Sequence, residues 1–157
     1  MRITLLVVGK TTDSIVESLT NLYIQRLKHY IDFQMVVVPE LKNTKALSEQ
    51  EQKTREGEFI LKSIPVGSRI VLMDERGAEY TSVEFSQKIN SYLNSGVKNV
   101  VFVIGGPYGF SQEVYAAAQE KISLSKMTFS HQMVRAIFAE QLYRAFTIIK
   151  GEPYHHQ

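Results

Sequence analysis

At 157 residues the chain has room for one domain with a full core, residues 1–157 taken together, and 44% hydrophobic with 22% charged residues is ordinary globular composition. A net charge of +2 excludes a polycation. The absence of cysteine excludes disulfides, thiolate metal sites and cysteine nucleophiles, and it fits a reducing cytoplasmic setting. No apolar run approaches the roughly 20 residues that cross a bilayer, so no membrane association is expected.

Met1–Lys10 has a short apolar core without the length or small-residue site of a signal peptide, and Ile3–Val8 reads as a first strand. A helix is predicted from Ser14 to about Tyr30, with Ile15, Leu19, Leu22, Tyr23, Leu27 and Tyr30 forming an inward face. Phe33–Val38 reads as a second strand, ended by Pro39. Ser48-Glu49-Gln50-Glu51 has capping-box spacing and starts a helix that buries Phe59, Ile60, Leu61 and Ile64 before Pro65. Arg69–Asp74 is the third strand, with a turn expected at Glu75-Arg76-Gly77. Ser82 opens a helix with Phe85, Ile89, Tyr92 and Leu93 inward.

Val100–Ile104 is an uninterrupted apolar run, the pattern of a strand buried on both faces in a parallel sheet. It feeds Gly105-Gly106-Pro107-Tyr108-Gly109, and Ser111 is a plausible N-cap for a short helix beyond. Ile122–Ser125 reads as a brief fifth strand, Lys126–Ser130 as a loop, and His131–Lys150 as a final helix ending at Gly151. Strands alternating with helices indicate an α/β fold, a mostly parallel sheet with helices on both faces. The final helix is apolar nearly all round, so it is buried on more than one side. A second copy of the chain or the rest of the domain could supply the second covering.

From Lys121 onward there are five Lys/Arg and two Asp/Glu, net +3, against thirteen and fourteen, net −1, in the first 120 residues. Three of the four histidines, His131, His155 and His156, lie in that basic segment, which points to an anionic ligand such as RNA. Gly-x-Gly-x-x-Gly, Gly-x-x-x-x-Gly-Lys-Ser/Thr, Gly-x-Ser-x-Gly and His-Glu-x-x-His are all absent. That rules against the common nucleotide triphosphatases, serine hydrolases and zinc hydrolases, and no metal is expected. Two loops remain, Gly105–Gly109 and Leu124–Ser130, each after an apolar segment, so both are expected at the carboxyl edge of the sheet, where open α/β sheets bind ligands. Their backbone groups and the apolar Leu124, Met127 and Phe129 suit an adenine ring held between apolar walls. His131 and Arg135, one helical turn apart, share a face at the helix start.

Ile104-Gly105-Gly106, Leu124-Ser125-Lys126-Met127-Thr128-Phe129 with His131-Gln132, Glu140-Gln141-x-Tyr143-Arg144-Ala145 and Gly151-Glu152-x-Tyr154-His155 together resemble the RlmH family, the small SPOUT-class methyltransferases of bacterial 23S rRNA. The likeness spans the chain. One departure is Ser130, where many relatives would carry proline; a slightly looser loop is expected there. The resemblance implies a carboxyl-terminal trefoil knot, a homodimer, and S-adenosylmethionine held by Met73, Gly105, Gly106 and Leu124, Ser125, Lys126, Met127, Thr128 and Phe129. It implies methylation of N3 of a pseudouridine in the helix 69 loop of 23S rRNA on the assembled ribosome. The imide proton at N3 must leave, so a histidine is a candidate general base, His155 first and His131 second. Arg135, Arg144 and Lys126 are candidates to favour the anion or to hold phosphates, with Tyr154 beside His155. A 20-residue helix carries the tail roughly 30 Å from His131. In a dimer with antiparallel final helices, each site is therefore expected to combine the loops of one chain with Tyr154 and His155 of the other. The competing reading is a non-catalytic nucleotide- or RNA-binding module.

Overall fold

A computed structural model describes residues 1–156. Five strands, β1 Arg2–Val8, β2 Asp32–Val38, β3 Arg69–Glu79, β4 Asn99–Ile104 and β5 Glu120–Ser123, form one parallel sheet in the order β2-β1-β4-β3-β5. The helices are α1 Ser14–Leu27, α2 Glu49–Lys62, α3 Ser82–Asn94, α4 Gln112–Ala117 and α5 His131–Lys150. Period-two alternation along β1 and β4 sends Leu5 and Phe102 to a core shared with α1, α3 and α5, and Leu6 and Val103 to a core shared with α2 and α4. Every residue of Val100–Ile104 is buried, as expected of a strand covered on both faces.

The helix starts follow local chemistry. Ser48 and Thr81 each form a reciprocal capping box, with Glu51 and Glu84 respectively, and Ser111 accepts from Val114 N–H. Ser130 does the same for α5, its Oγ accepting from Met133 N–H at 3.2 Å. That serine satisfies one of the unpaired donors at the start of the longest helix.

Four expectations change. Helix α1 ends at Leu27, and Tyr30 N–H turns back to Leu27 C=O. Its buried stripe is Thr20, Ile24 and Leu27, whereas Ile15, Leu19 and Leu22 face outward at 78%, 40% and 45% exposure. α1 lies parallel to α5, tied at Thr12–Gln132 and again at Tyr23–Tyr143, and that neighbour covers Tyr23, Leu27 and Tyr30 of the expected face but not its remaining residues. Phe59, expected inward, is also exposed, while Ile60 takes the core. The segment Glu75-Arg76-Gly77 is not a strand-ending turn, because β3 continues to Glu79 through a break in register, and Ile122 of β5 pairs with both Met73 and Ala78. β3 thus bends around β5. A Cβ on Gly77 would meet Ile122 N at 2.5 Å, so only glycine admits this approach of backbone to backbone.

Candidate functional site

Parallel strands run to a common edge, so the register break within β3 and the loops after β4 and β5 meet there. There they enclose a cavity of about 800 Å³ lined by Met73–Arg76, Ile104–Phe110 and the stretch from Ile122 to His131. That volume falls in the roughly 300–1,000 Å³ range of small-molecule sites. Met73, Gly105, Gly106, Leu124, Ser125, Lys126, Met127, Thr128, Phe129 and His131 all line it. Their convergence from positions as far apart in sequence as 73 and 131 follows from the sheet order.

The walls differ in chemistry. Ser125 closes a local turn, its hydroxyl accepting from Met127 N–H at 3.0 Å and its carbonyl from Ser123 Oγ at 2.9 Å. The main-chain groups of Lys126, Thr128 and Phe129 form no hydrogen bond among the described residues and remain free for a ligand. Met127 and Phe129 expose apolar side chains at the rim. Opposite, Gly109 N–H donates to Gly106 C=O at 3.2 Å, making a tight turn with Pro107 and Tyr108 at its corners and Gly109 at φ 81°. At Gly105 a Cβ would meet the Phe110 ring at 2.9 Å, so the missing side chain admits a residue of the same loop, while the Gly105 backbone lines the cavity.

Two groups at this edge carried no sequence signal. Tyr115 of α4 donates its hydroxyl to Asp74, whose other oxygen accepts from Arg76 N–H at 2.8 Å. Burial, then the bond to Asp74, pushes the Tyr115 phenol up to about 12. Glu56 of α2 is buried, and one carboxylate oxygen accepts from Gly106 N–H at 3.0 Å. Burial pushes its carboxyl up, against the lowering effect of that bond. A capping-box helix start locates α2, but nothing local distinguishes Glu56 from the solvent-facing glutamates beside it.

Arg135 requires correction as a group that meets RNA or substrate. It is fully buried; its guanidinium donates to Gly9 C=O at 2.9 Å, Thr11 Oγ1 at 3.0 Å and Val8 C=O at 2.8 Å. The carbonyl end of β1 needs donors inside the fold, and Arg135 supplies them. Desolvation lowers its pKa, partly opposed by the Glu40 carboxylate.

Arg144, Tyr154 and His155 are brought together, away from the cavity of their own chain, at the far end of α5. The Gly151 αL cap turns the tail back onto α1 and α5. One Glu140 oxygen accepts from Arg144 Nε at 3.1 Å and from Tyr154 Oη at 3.0 Å. Arg144 also lies over the Tyr154 ring, 4.8 Å from its centroid. The Glu140 bond holds the Arg144 pKa above its ordinary value, and burial raises that of Tyr154. His155 Nδ1 is 3.2 Å from Arg144 Nη1. A guanidinium only donates, so Nδ1 is the acceptor and the ring proton sits on Nε2. In this arrangement His155 presents a donor outward rather than a basic lone pair. The His131 ring, at the cavity, makes no hydrogen bond among the described residues.

A family model described as "Predicted SPOUT methyltransferase" matches residues 1–155. Similar curated proteins include "Ribosomal RNA large subunit methyltransferase H" of Christiangramia forsetii, 55% identical, and those of Phocaeicola vulgatus and Bacteroides thetaiotaomicron, each 57% identical, all three alignments covering 100% of both chains. Among solved structures, a probable methylase family protein from Haemophilus influenzae Rd KW20 matches with a TM-score of 0.53 at 15% identity, over 99% of this chain and 70% of that one, a likeness of fold.

Proposed function

The chain belongs to the SPOUT methyltransferases and, within them, to the ribosomal RNA large subunit methyltransferase H family, and from that premise we propose that it methylates N3 of a pseudouridine in the helix 69 loop of 23S rRNA. It acts as a homodimer on the assembled ribosome in the cytoplasm, with S-adenosylmethionine as methyl donor. The observation that carries this reading is the cavity itself, where both ligand-type loops and His131 converge. Its free backbone groups and apolar rim fit the donor's adenine. Met73, Gly105, Gly106 and Leu124–Phe129 would hold it. When bound, S-adenosylmethionine supplies an already activated sulfonium methyl. The protein's task is then positioning and proton removal.

N3 loses its proton to the His131 imidazole, and the freed lone pair is the nucleophile. His155, with its proton on Nε2, donates to a ring carbonyl, and Arg144 beside it favours the negative charge that spreads onto that carbonyl. Lys126 at the rim and Arg144 hold phosphates. The outward Ile15, Leu19 and Leu22 of α1 and the half-exposed Met133 of α5 support a partner copy over α1 and α5. That copy would bring its own Tyr154 and His155 to this cavity. Among the described residues no helix is long and apolar enough to cross a membrane, and no cluster of three or more His, Cys, Asp or Glu could hold a metal.

The test is nucleoside mass spectrometry of rRNA. Ribosomes lacking the modification are incubated with the protein and S-adenosylmethionine, and one added methyl on a helix 69 pseudouridine is expected. Methyl incorporation elsewhere, or only into protein-free RNA, refutes the substrate assignment.

A further inference from the structure

Beneath the glycine turn, two close approaches fasten the loop to α2 and a third closes the loop on itself. Gly57 of α2 sits where a Cβ would meet Ser111 Oγ at 2.5 Å, Gly105 backs onto Phe110, and Gly106 admits the Glu56 carboxylate, whose oxygens lie 2.6 and 2.8 Å from where a Cβ would be. Glu56 is the unusual member. Its carboxylate is buried with no Lys, Arg or His in an ion pair, and its hydrogen bond goes to the main chain of the loop that lines the cavity. The one charge that shifts it is another carboxylate, Glu40, which raises its pKa further. A buried carboxylate with so little compensation is poor value for folding, and an apolar group of similar size would leave the fold as stable or more so. What the carboxylate does achieve is local. It holds Gly106 N–H from below and so sets the height of the Gly106–Gly109 turn, while Lys53, one turn earlier on the same face of α2, reaches the cavity itself.

We infer that Glu56 is a positioning residue for the methyl-donor site: its bond to Gly106 N–H holds the glycine turn in the conformation that forms one wall of the cavity. The inference rests on reading that cavity as the S-adenosylmethionine site. It predicts that Glu56 is retained for binding at no gain in stability.

The test uses the full-length protein with Glu56→Gln and Glu56→Met. Titration calorimetry with S-adenosylmethionine should show about tenfold weaker binding for Glu56→Met, the loss of one hydrogen bond to a charged group. Glu56→Gln keeps an acceptor oxygen and should stay within about threefold of the unmutated protein. The melting temperature of Glu56→Met should be unchanged or higher. Hydrogen exchange of the ligand-free protein should show faster exchange over residues 105–110 in Glu56→Met alone. Glu56→Met with unaltered affinity and unaltered exchange overturns the inference, as does a lower melting temperature with unaltered affinity, the mark of a purely structural residue. If the unmutated protein fails to bind S-adenosylmethionine while exchange still rises in Glu56→Met, the cavity assignment falls and the pinning of the turn stands.

Discussion

Arg135→Met separates a structural arginine from one that meets RNA. Methionine retains most of the buried length and removes the three donated bonds to Val8 C=O, Gly9 C=O and Thr11 Oγ1. Two main-chain carbonyls left without a donor in the interior cost about 1–3 kcal/mol each. Part of this is recovered because the guanidinium no longer has to be desolvated, and its Nε already lacks a partner. The net loss is about 3 kcal/mol. With a urea slope of about 2 kcal/mol per molar, the unfolding midpoint should fall by about 1.5 M. The melting temperature should drop by about 6–12 °C, measured at the same protomer concentration as the unmutated protein. The assay is urea unfolding followed by circular dichroism, with methyl transfer to ribosomes measured on the folded fraction. A midpoint unchanged within about 0.3 M, together with lost transfer, would refute the reasoning and return Arg135 to the RNA or substrate surface.

Two further outcomes are expected. A chain truncated after Lys150 and a Thr128→Trp chain with a filled cavity should each be inactive as homodimers. Mixed dimers formed at random should restore about a quarter of full methyl transfer, and verified mixed dimers without activity would show that each tail serves its own chain. Tyr115 is held neutral in the fold, its pKa raised from the ordinary 10.0 to about 12, so its contribution to stability is complete below about pH 10 and is lost as the pH rises through about 12. Tyr115→Phe should therefore lose less stability than the unmutated protein across that window, and parallel curves for the two would contradict the Tyr115–Asp74 bond.

Much of the site is legible in the chain because connectivity in a parallel sheet is restrictive. An apolar run of five residues flanked by helical segments has to be an interior strand, and every such strand delivers its following loop to the same edge. Val100–Ile104 and the segment before Leu124 therefore brought Gly105–Gly109 and Leu124–Phe129 together without any knowledge of contacts. The helix starts were equally local, since a Ser or Thr three residues before a Glu closes its own hydrogen bonds. What the tertiary structure alone decided involves partners far apart in sequence. Periodicity announces that α1 has apolar stripes, but only the placement of α5 determines that Thr20, Ile24 and Leu27 are covered while Ile15, Leu19 and Leu22 are not. An arginine near a helix start reads as a surface charge until the carbonyl end of β1, 126 residues away, is found to need its donors. Glu56 is one of several glutamates on a polar helix until Gly106, 50 residues on, lays an N–H against it. Side-chain type reports the average cost of burial; which buried group is compensated depends on the backbone donors and acceptors that folding happens to leave beside it.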